Sequence, residues 1–485
     1  MECLRHIPDG LDSFPPIDVD AMKDDNEDSV VPEKVFERQT TSVKIDKRFE
    51  ISKTGQFAVQ FAHLYFSRLL QLRKIVANRA IEKWGRNIPL LEHITLLKDG
   101  ECVIIGTFFK KMKLKARILD EYSENFKAAE INDFDNLVSS DDVLIIEDVE
   151  GRIDVKNLPP EKWITGIVVA LKGRQVRSEF VVSDICIPEL PKQLPLPPKL
   201  RAFLDSSSCS SMNDDDIDQS TQNSSRFVAL MSGFQIGDKR TNPLPFQMMI
   251  DYISGFLGSE QEQEFCSKIV RVIIAGNSLV EYHPDIDDMS RKQREADTPV
   301  TRPLQQLDLL MTQLSSSVPV DLMCGPSDPS NFSLPQQPFH RCLFPSSTTF
   351  DSFHRASNPH ALTIDDISFL GTSGQNIDDM RKYATFTNEF EALEGTLRWR
   401  VICPTAPDTL GCHPSVKEDV FVIDECPHVY FAGNQKEFST KLFCENGRFV
   451  RLINIPSFAE THSIVLLDLN TLECHPIQFD VPLSD

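Results

Sequence analysis

From residue 56 to 84 the apolar positions recur at helical spacing. Phe57, Phe61, Leu64, Tyr65, Leu69, Leu72, Val76 and Ala80 share one stripe, and Gly85 stands where a C-terminal cap belongs. This predicts a long amphipathic helix over Gln56–Trp84, with its apolar face against the next domain. The period then shortens. Cys102–Phe109 is an apolar run rich in Val, Ile and Phe, and Lys111–Arg117 alternates basic and apolar residues, as a half-exposed strand does. Val143–Ile146, Ile164–Leu171 and Phe180–Ile187 continue the series, with turns expected at Glu150-Gly151 and Lys172-Gly173. Short strands following a helix in this way predict a small β-barrel of the oligonucleotide/oligosaccharide-binding (OB) type.

Pro188–Pro198 then breaks the pattern with five prolines and reads as a stiff linker. Ser206–Ser225 is rich in Ser, Asp and Asn, buries too little to offset the entropy of ordering, and is expected to be disordered. Beyond it, buried-type strands are expected at Phe227–Met231, Ile269–Ala275, Val320–Cys324 and Ile367–Leu370. Helices at Phe246–Leu257 and Leu304–Leu314 fall between them, and that alternation predicts a layered α/β domain. Lys441–Ile455 reads as a hairpin around Asn446-Gly447, and Ile464–Phe479 as a second one turning at Asn470-Thr471, which together give the sheet an antiparallel edge. The expected division is an acidic disordered tail over 1–38, helix and barrel over 39–187, linker over 188–225 and the α/β domain over 226–485.

Composition narrows the function. A chain of 485 residues, 41% hydrophobic and 25% charged, has the makeup of a multidomain globular protein. Its net charge of −22 excludes a protein that grips nucleic acid over its whole surface, because neutralising phosphates needs clustered Lys and Arg. A local basic strand remains at Lys111, Lys113, Lys115 and Arg117, but no aromatic residues interleave it for base stacking and an acidic stretch follows. A solvated face or a protein interface is the expectation there. The 12 cysteines are scattered without a Cys-x-x-Cys pair, which fits free buried thiols in a reducing compartment. No apolar run approaches the length of a membrane span, and the first residues lack a leader's apolar core, so the chain is expected to be intracellular, with no membrane partner.

The chemistry should sit where the α/β strands end. Val320–Pro345 delivers an apolar run into a Gly-Pro-Ser-Asp-Pro turn, the usual place for an α/β active site, yet Asp328 is its only carboxylate after the strand. Three further strand ends carry Ser232-Gly233-Phe234-Gln235, Gly276-Asn277-Ser278-Leu279-Val280 and Gly433-Asn434-Gln435-Lys436. In order and setting these four loops resemble the calcineurin-like metallophosphoesterases, whose loops carry Asp-x-His, Gly-Asp-x-x-Asp, Gly-Asn-His-Asp and Gly-His-x-His. Two metal ions need those carboxylates and imidazoles to generate an attacking hydroxide. Against that pattern Gly233 and Gln235 replace the first pair, Asn277 and Val280 the second, Pro326 and Ser327 the Asn and His, and Asn434 and Lys436 the last two His. Only Asp328 survives in kind. Cys403-Pro404-Thr405-Ala406-Pro407 also lacks the His expected of it. The resemblance therefore implies an OB barrel joined to a metallophosphoesterase-like domain without its metal ligands, with no catalytic residue, metal or cofactor.

That plan resembles the B subunits of replicative DNA polymerases. Leu370-Gly371-Thr372-Ser373-Gly374-Gln375-Asn376, the Cys403–Cys412 stretch and Pro427-His428-Val429-Tyr430-Phe431-Ala432-Gly433-Asn434 resemble, more narrowly, the second-subunit family of DNA polymerase delta. The resemblance implies a nuclear, non-enzymatic scaffold for replication and repair. Its implied partners are the cysteine-rich C-terminal module of the catalytic subunit and the N-terminal winged helix of a third, clamp-binding subunit. It also implies sharing with the translesion polymerase zeta and only indirect or weak contact with DNA. Gly371–Asn376 lacks a phosphate-loop ending and is expected to be a tight turn without a helix starting in register. The aromatic residues Phe332, Phe339 and Phe344 around the Asp328 loop are candidate partner-docking residues. Two rival readings stay open: a divergent phosphoesterase built on Asp328, His340 and His354, and a single-strand binder built on the basic strand.

Overall fold

The computed structural model describes residues 36–51, 60–98, 100–115, 136–207, 225–281, 301–414 and 418–479. The acidic tail through residue 35, Phe57, Arg117 and most of the Ser/Asp-rich stretch lie outside them. Strand β1 (Val43–Asp46) comes first, followed by helix α1 (Ala62–Trp84), which buries Leu64, Leu69, Leu72, Val76 and Ala80. Gly85 caps it at φ 79°, a left-handed conformation in which glycine meets no Cβ clash, and its N–H reaches Ile81 O.

Five strands close the barrel in the order β2 (Glu101–Lys111), β3 (Val143–Glu147), β4 (Arg152–Lys156), β6 (Glu179–Cys186), β5 (Val168–Val176). The parallel pairing of β4 with β6 shuts it, and α1 packs onto β2 and β5. Two sequence expectations change here. The chain leaves the sheet after Lys111, so Lys113 and Lys115 are not on a strand. Lys172-Gly173 is a bulge within β5 rather than a turn: the register against β6 shifts there, and a Cβ on Gly173 would lie 2.2 Å from Val181 O. The chain turns at Arg177 instead, with φ 57°.

The proline stretch is a strap and not a free linker. Its β7 (Lys192–Gln193) pairs with β14 (Glu425–Cys426), Leu190 and Leu196 are buried, and Gln193 Nε2 donates to Phe449 O at 2.7 Å. Helix α2 (Pro198–Ser207) follows.

The second domain stacks two six-stranded sheets. One runs β11 (Phe353–Ala356), β10 (Val320–Met323), β9 (Ile269–Ala275), β8 (Phe227–Met231), β18 (Ser463–Asp468), β19 (Cys474–Gln478). The other runs β1, β12 (His360–Ile364), β13 (Ile367–Thr372), β15 (Val429–Gln435), β17 (Arg448–Pro456), β16 (Ser439–Glu445). Val228, Leu230, Ile273 and Met323 of the first meet Leu362, Phe369, Phe431 and Ile453 of the second in the central core. Helices α3 (Pro243–Ser254), α4 (Glu260–Ser267) and α5 (Thr301–Ser317) pack on the outside of the first sheet. Helices α6 (Gln375–Tyr383) and α7 (Glu391–Trp399) lie on the far side of the second, where their buried residues merge with the barrel core.

Each sheet receives one of the two expected hairpins, so the antiparallel edge is double. Strand β1 corrects the division of the chain: it pairs with β12, which places the segment before α1 in the second domain rather than with the barrel. Arg38 secures that segment, donating to the carbonyls of Cys266, Ile269 and Ile253. Among the described residues no helix is long and apolar enough to cross a membrane.

Candidate functional site and family

Strands β8, β9 and β10 run parallel, as do β13 and β15, so their C-terminal ends deliver loops to one rim. The four loops predicted from sequence do meet there. Gly233 N donates to Gly276 O at 2.9 Å and Gln235 N to Asn277 O at 3.0 Å. Asn277 Oδ1 accepts from Ser327 N at 3.3 Å and Ser327 Oγ at 3.1 Å. Asn434 N donates to Ser232 Oγ at 2.8 Å, and its Nδ2 reaches Ala275 O at 3.1 Å and Ser373 O at 2.8 Å. Gln235, Asn277 and Asn434 all adopt positive φ, at 47°, 54° and 55°, as the backbone turns sharply off each strand. The backbones also touch: a Cβ on Gly276 would sit 2.8 Å from Gly325 Cα.

The surviving carboxylate is tied to the main chain. Asp328 is buried, with Oδ1 accepting from Leu279 N at 2.9 Å and Oδ2 from Gly325 N at 2.8 Å. Burial pushes its pKa up to about 6, outweighing the backbone N–H groups of Leu279, Gly325, Ser278 and Asn277 that pull the other way. Among the described residues no group of three or more His, Cys, Asp or Glu is placed to hold a metal ion. Val280 is half-buried, its N–H bonded to Ile236 O, while Pro326 and Lys436 are exposed.

A second layer of amides, unsuspected from the sequence, supports the rim. Buried Asn358 donates to Ser373 Oγ at 2.7 Å and Gln336 Oε1 at 2.8 Å, Ser373 N returns a bond to Asn358 Oδ1 at 3.1 Å, and Gln336 Nε2 reaches Gly325 O at 3.0 Å. The available signal was polar residues beside apolar runs, which also describes surface loops. Gly371–Asn376 differs from expectation as well. Helix α6 does begin at Gln375, with Gly374 as its N-cap at φ 94°, where a side chain would collide with Gly433 O.

The docking candidates separate by burial. Phe332 is 87% exposed, whereas Phe339 and Phe344 are 1% and 0% exposed. The latter two meet edge-on at 5.3 Å and belong to the core under the first sheet, so they cannot present a surface to a partner. The residues of the rival phosphoesterase reading do not assemble. His354 pairs in register with Asp321 near the start of β10, Asp328 lies beyond its other end, and His340 contacts Cys342.

The basic stretch faces other protein groups. Lys113 pairs with Asp141 at 2.6 Å, and Lys115 reaches across to Asp408 of the second domain at 2.7 Å. Buried Lys110 donates to Tyr383 O at 2.8 Å and lies 3.5 Å from Asp142. Beside this seam stands Arg68 of α1, fully buried. Its guanidinium meets Asp419 at 2.6 Å and the carbonyls of Gly166, Pro404, Cys403 and Ala406. The barrel and the second domain are thus joined by charge.

Comparison with known proteins agrees with this division. Residues 60–185 match the family described as the DNA polymerase delta subunit OB-fold domain, and residues 228–440 match the family of DNA polymerase alpha/epsilon B subunits. The DNA polymerase delta small subunit of Arabidopsis thaliana is 40% identical over 93% of this chain and 98% of its own length. DNA polymerase delta subunit 2 of Drosophila melanogaster is 35% identical over 88% and 95%. The small subunit of Saccharomyces cerevisiae is 27% identical over 94% and 98%. With an OB barrel, an α/β second domain and this identity along nearly its whole length, the chain belongs to the DNA polymerase delta small subunit family.

Proposed function

We propose that the chain is a non-catalytic scaffold of DNA polymerase delta. It joins the C-terminal cysteine-rich module of the catalytic subunit to the winged-helix end of a third, clamp-binding subunit. It works in the nucleus in replication and repair, and the same subunit serves polymerase zeta in translesion synthesis. In this reading the second domain is a phosphoesterase-like fold whose motif positions Gly233, Gln235, Asn277, Val280, Pro326, Ser327, Asn434 and Lys436 no longer ligate metal. The observation that supports it is Asp328, both of whose carboxylate oxygens accept from backbone N–H groups, those of Leu279 and Gly325. Phe332, exposed on the Asp328 loop, is the docking residue that remains.

The test pairs size-exclusion chromatography with an activity assay. Mixed with the C-terminal module of the catalytic subunit, the chain should co-elute with it, and separate elution would defeat the scaffold. Added manganese should give no hydrolysis of a phosphodiester. Turnover abolished by Asp328→Ala would establish the phosphoesterase reading instead.

A further inference from the structure

Among the described cysteines seven are buried, Cys474 is partly buried, and Cys342 and Cys444 are exposed. Burial pushes the Cys412 and Cys426 thiols up to about 12, which keeps them protonated and inert. The two exposed thiols differ in company. Cys342 Sγ lies 2.8 Å from His340 Nδ1, and His340 is itself exposed.

The backbone builds this pairing. His340 caps the short turn Arg341–Leu343, and its Nδ1 accepts the Cys342 N–H at 3.3 Å. A ring nitrogen that accepts a backbone N–H presents its lone pair on that side, so Nδ1 is the unprotonated nitrogen and the thiol donates to it. A nucleophile and a base stand within hydrogen-bond reach, open to solvent. The turn is anchored from below, since Phe339 and Phe344 on either side of it are core residues.

We infer that Cys342 and His340 form a surface thiol-exchange site that accepts a small disulfide of the oxidised-glutathione class. Cys342 Sγ attacks one sulfur of the disulfide while its proton passes to His340 Nδ1. The S–S bond breaks, and the departing thiolate recovers the proton from the imidazolium. The products are a mixed disulfide on Cys342 and one free thiol, so the disulfide is the only oxidant consumed. A bulky anionic group is thereby placed on the same connection between β10 and β11 that carries Asp328 and Phe332.

The full chain, exposed to oxidised glutathione at neutral pH and sampled over time by peptide mass mapping, tests this. Cys342 should be modified at least ten-fold faster than Cys444 on the same molecule. His340→Gln, a change at an exposed side chain, should lower the Cys342 rate to that of Cys444 while thermal unfolding stays unchanged. Equal rates at the two cysteines at neutral pH, or a Cys342 rate indifferent to His340→Gln, would overturn the inference.

Discussion

The domain seam and the strand-end rim are both buried and polar, but they are held by opposite means. At the seam, full charges meet: Arg68 with Asp419, both wholly buried, and Lys115 with Asp408. At the rim, Asp328 accepts from backbone N–H groups, and neutral amides and hydroxyls (Asn277, Ser327, Asn358, Ser373, Asn434) do the joining. A buried charge is tolerated when an opposite charge and enough hydrogen bonds replace water, and otherwise its pKa moves to neutralise it. The seam follows the first course; at the rim backbone N–H groups stand in for the counter-charge, and burial still raises the Asp328 pKa to about 6. Joining two domains in one geometry draws on charged, directional pairs, whereas the rim is held by neutral hydrogen bonds among its own loops.

The largest effect should come from breaking the seam. Arg68 commits all five donors, to Asp419 and four carbonyls. Arg68→Met leaves Asp419 buried and unpaired and should cost about 3–5 kcal/mol, measured by chemical denaturation. Adding Asp419→Asn should recover part of that loss. If the double variant were no more stable than Arg68→Met, the pair would not be coupled and the contrast with the rim would fail.

The same contrast decides how much the sequence could reveal. The barrel is legible because Cys102–Phe109 and its neighbours are apolar runs, and the rim because a Gly stands at each of the four strand ends, with Asn after it at Gly276 and Gly433. Strand β4 was missed, since Arg152–Lys156 is brief and alternates charges with only two apolar residues. Strand β1 was missed because its partner β12 lies in the second domain, and pairing between distant segments leaves no local pattern. The prolines of 188–198 read as a stiff linker and say nothing of where Leu190 and Leu196 are buried. At the rim, sequence showed which residues stand at the loops but not their bonds: Gln336 and Asn358 read as ordinary loop amides until the fold brings them to Gly325 and Ser373. Phe339 and Phe344 were misplaced on the surface because aromatic residues near a turn serve a core or an interface equally well.

A pH titration separates the two regions next. The pKa of Asp328 rises from 3.8 to about 6 on folding, so the folded state holds its proton longer than the unfolded state. Its contribution is therefore fully present below pH 4 and is lost as pH rises through 6, a swing of about 3 kcal/mol. Asp328→Asn cannot titrate. The stability difference between wild type and this variant should shift against the wild type by nearly that amount between pH 3 and 7. A difference flat across this range would mean that burial does not raise the Asp328 pKa on folding.

Removing one rim amide should cost less than breaking the seam. Asn434→Ala deletes the bonds to Ala275 O and Ser373 O and leaves a non-glycine residue at φ 55°. Thermal or chemical unfolding should show a loss of about 1–3 kcal/mol. Asn434→Gly, which relieves the backbone but not the lost bonds, should fall between that variant and the wild type. A loss as large as that of Arg68→Met would make the rim as critical to the fold as the seam.

The smallest expected change in stability is at Phe332, and its smallness is informative. The ring is 87% exposed, so truncation opens no cavity, and Phe332→Ala should alter unfolding by no more than about 0.5 kcal/mol. A Cβ on Gly411 would sit 2.9 Å from Phe332 Cε1, so the ring lies over a glycine backbone that leaves room for it. A large apolar side chain held at the surface over so open a seat contributes little to the isolated chain. If it docks a partner, the cost of Phe332→Ala should appear only in the complex, as a weaker affinity for a polymerase delta subunit in a titration at fixed salt. Unchanged affinity for every subunit tested, together with unchanged stability, would leave Phe332 an ordinary exposed side chain. The rim would then hold its shape without offering a surface.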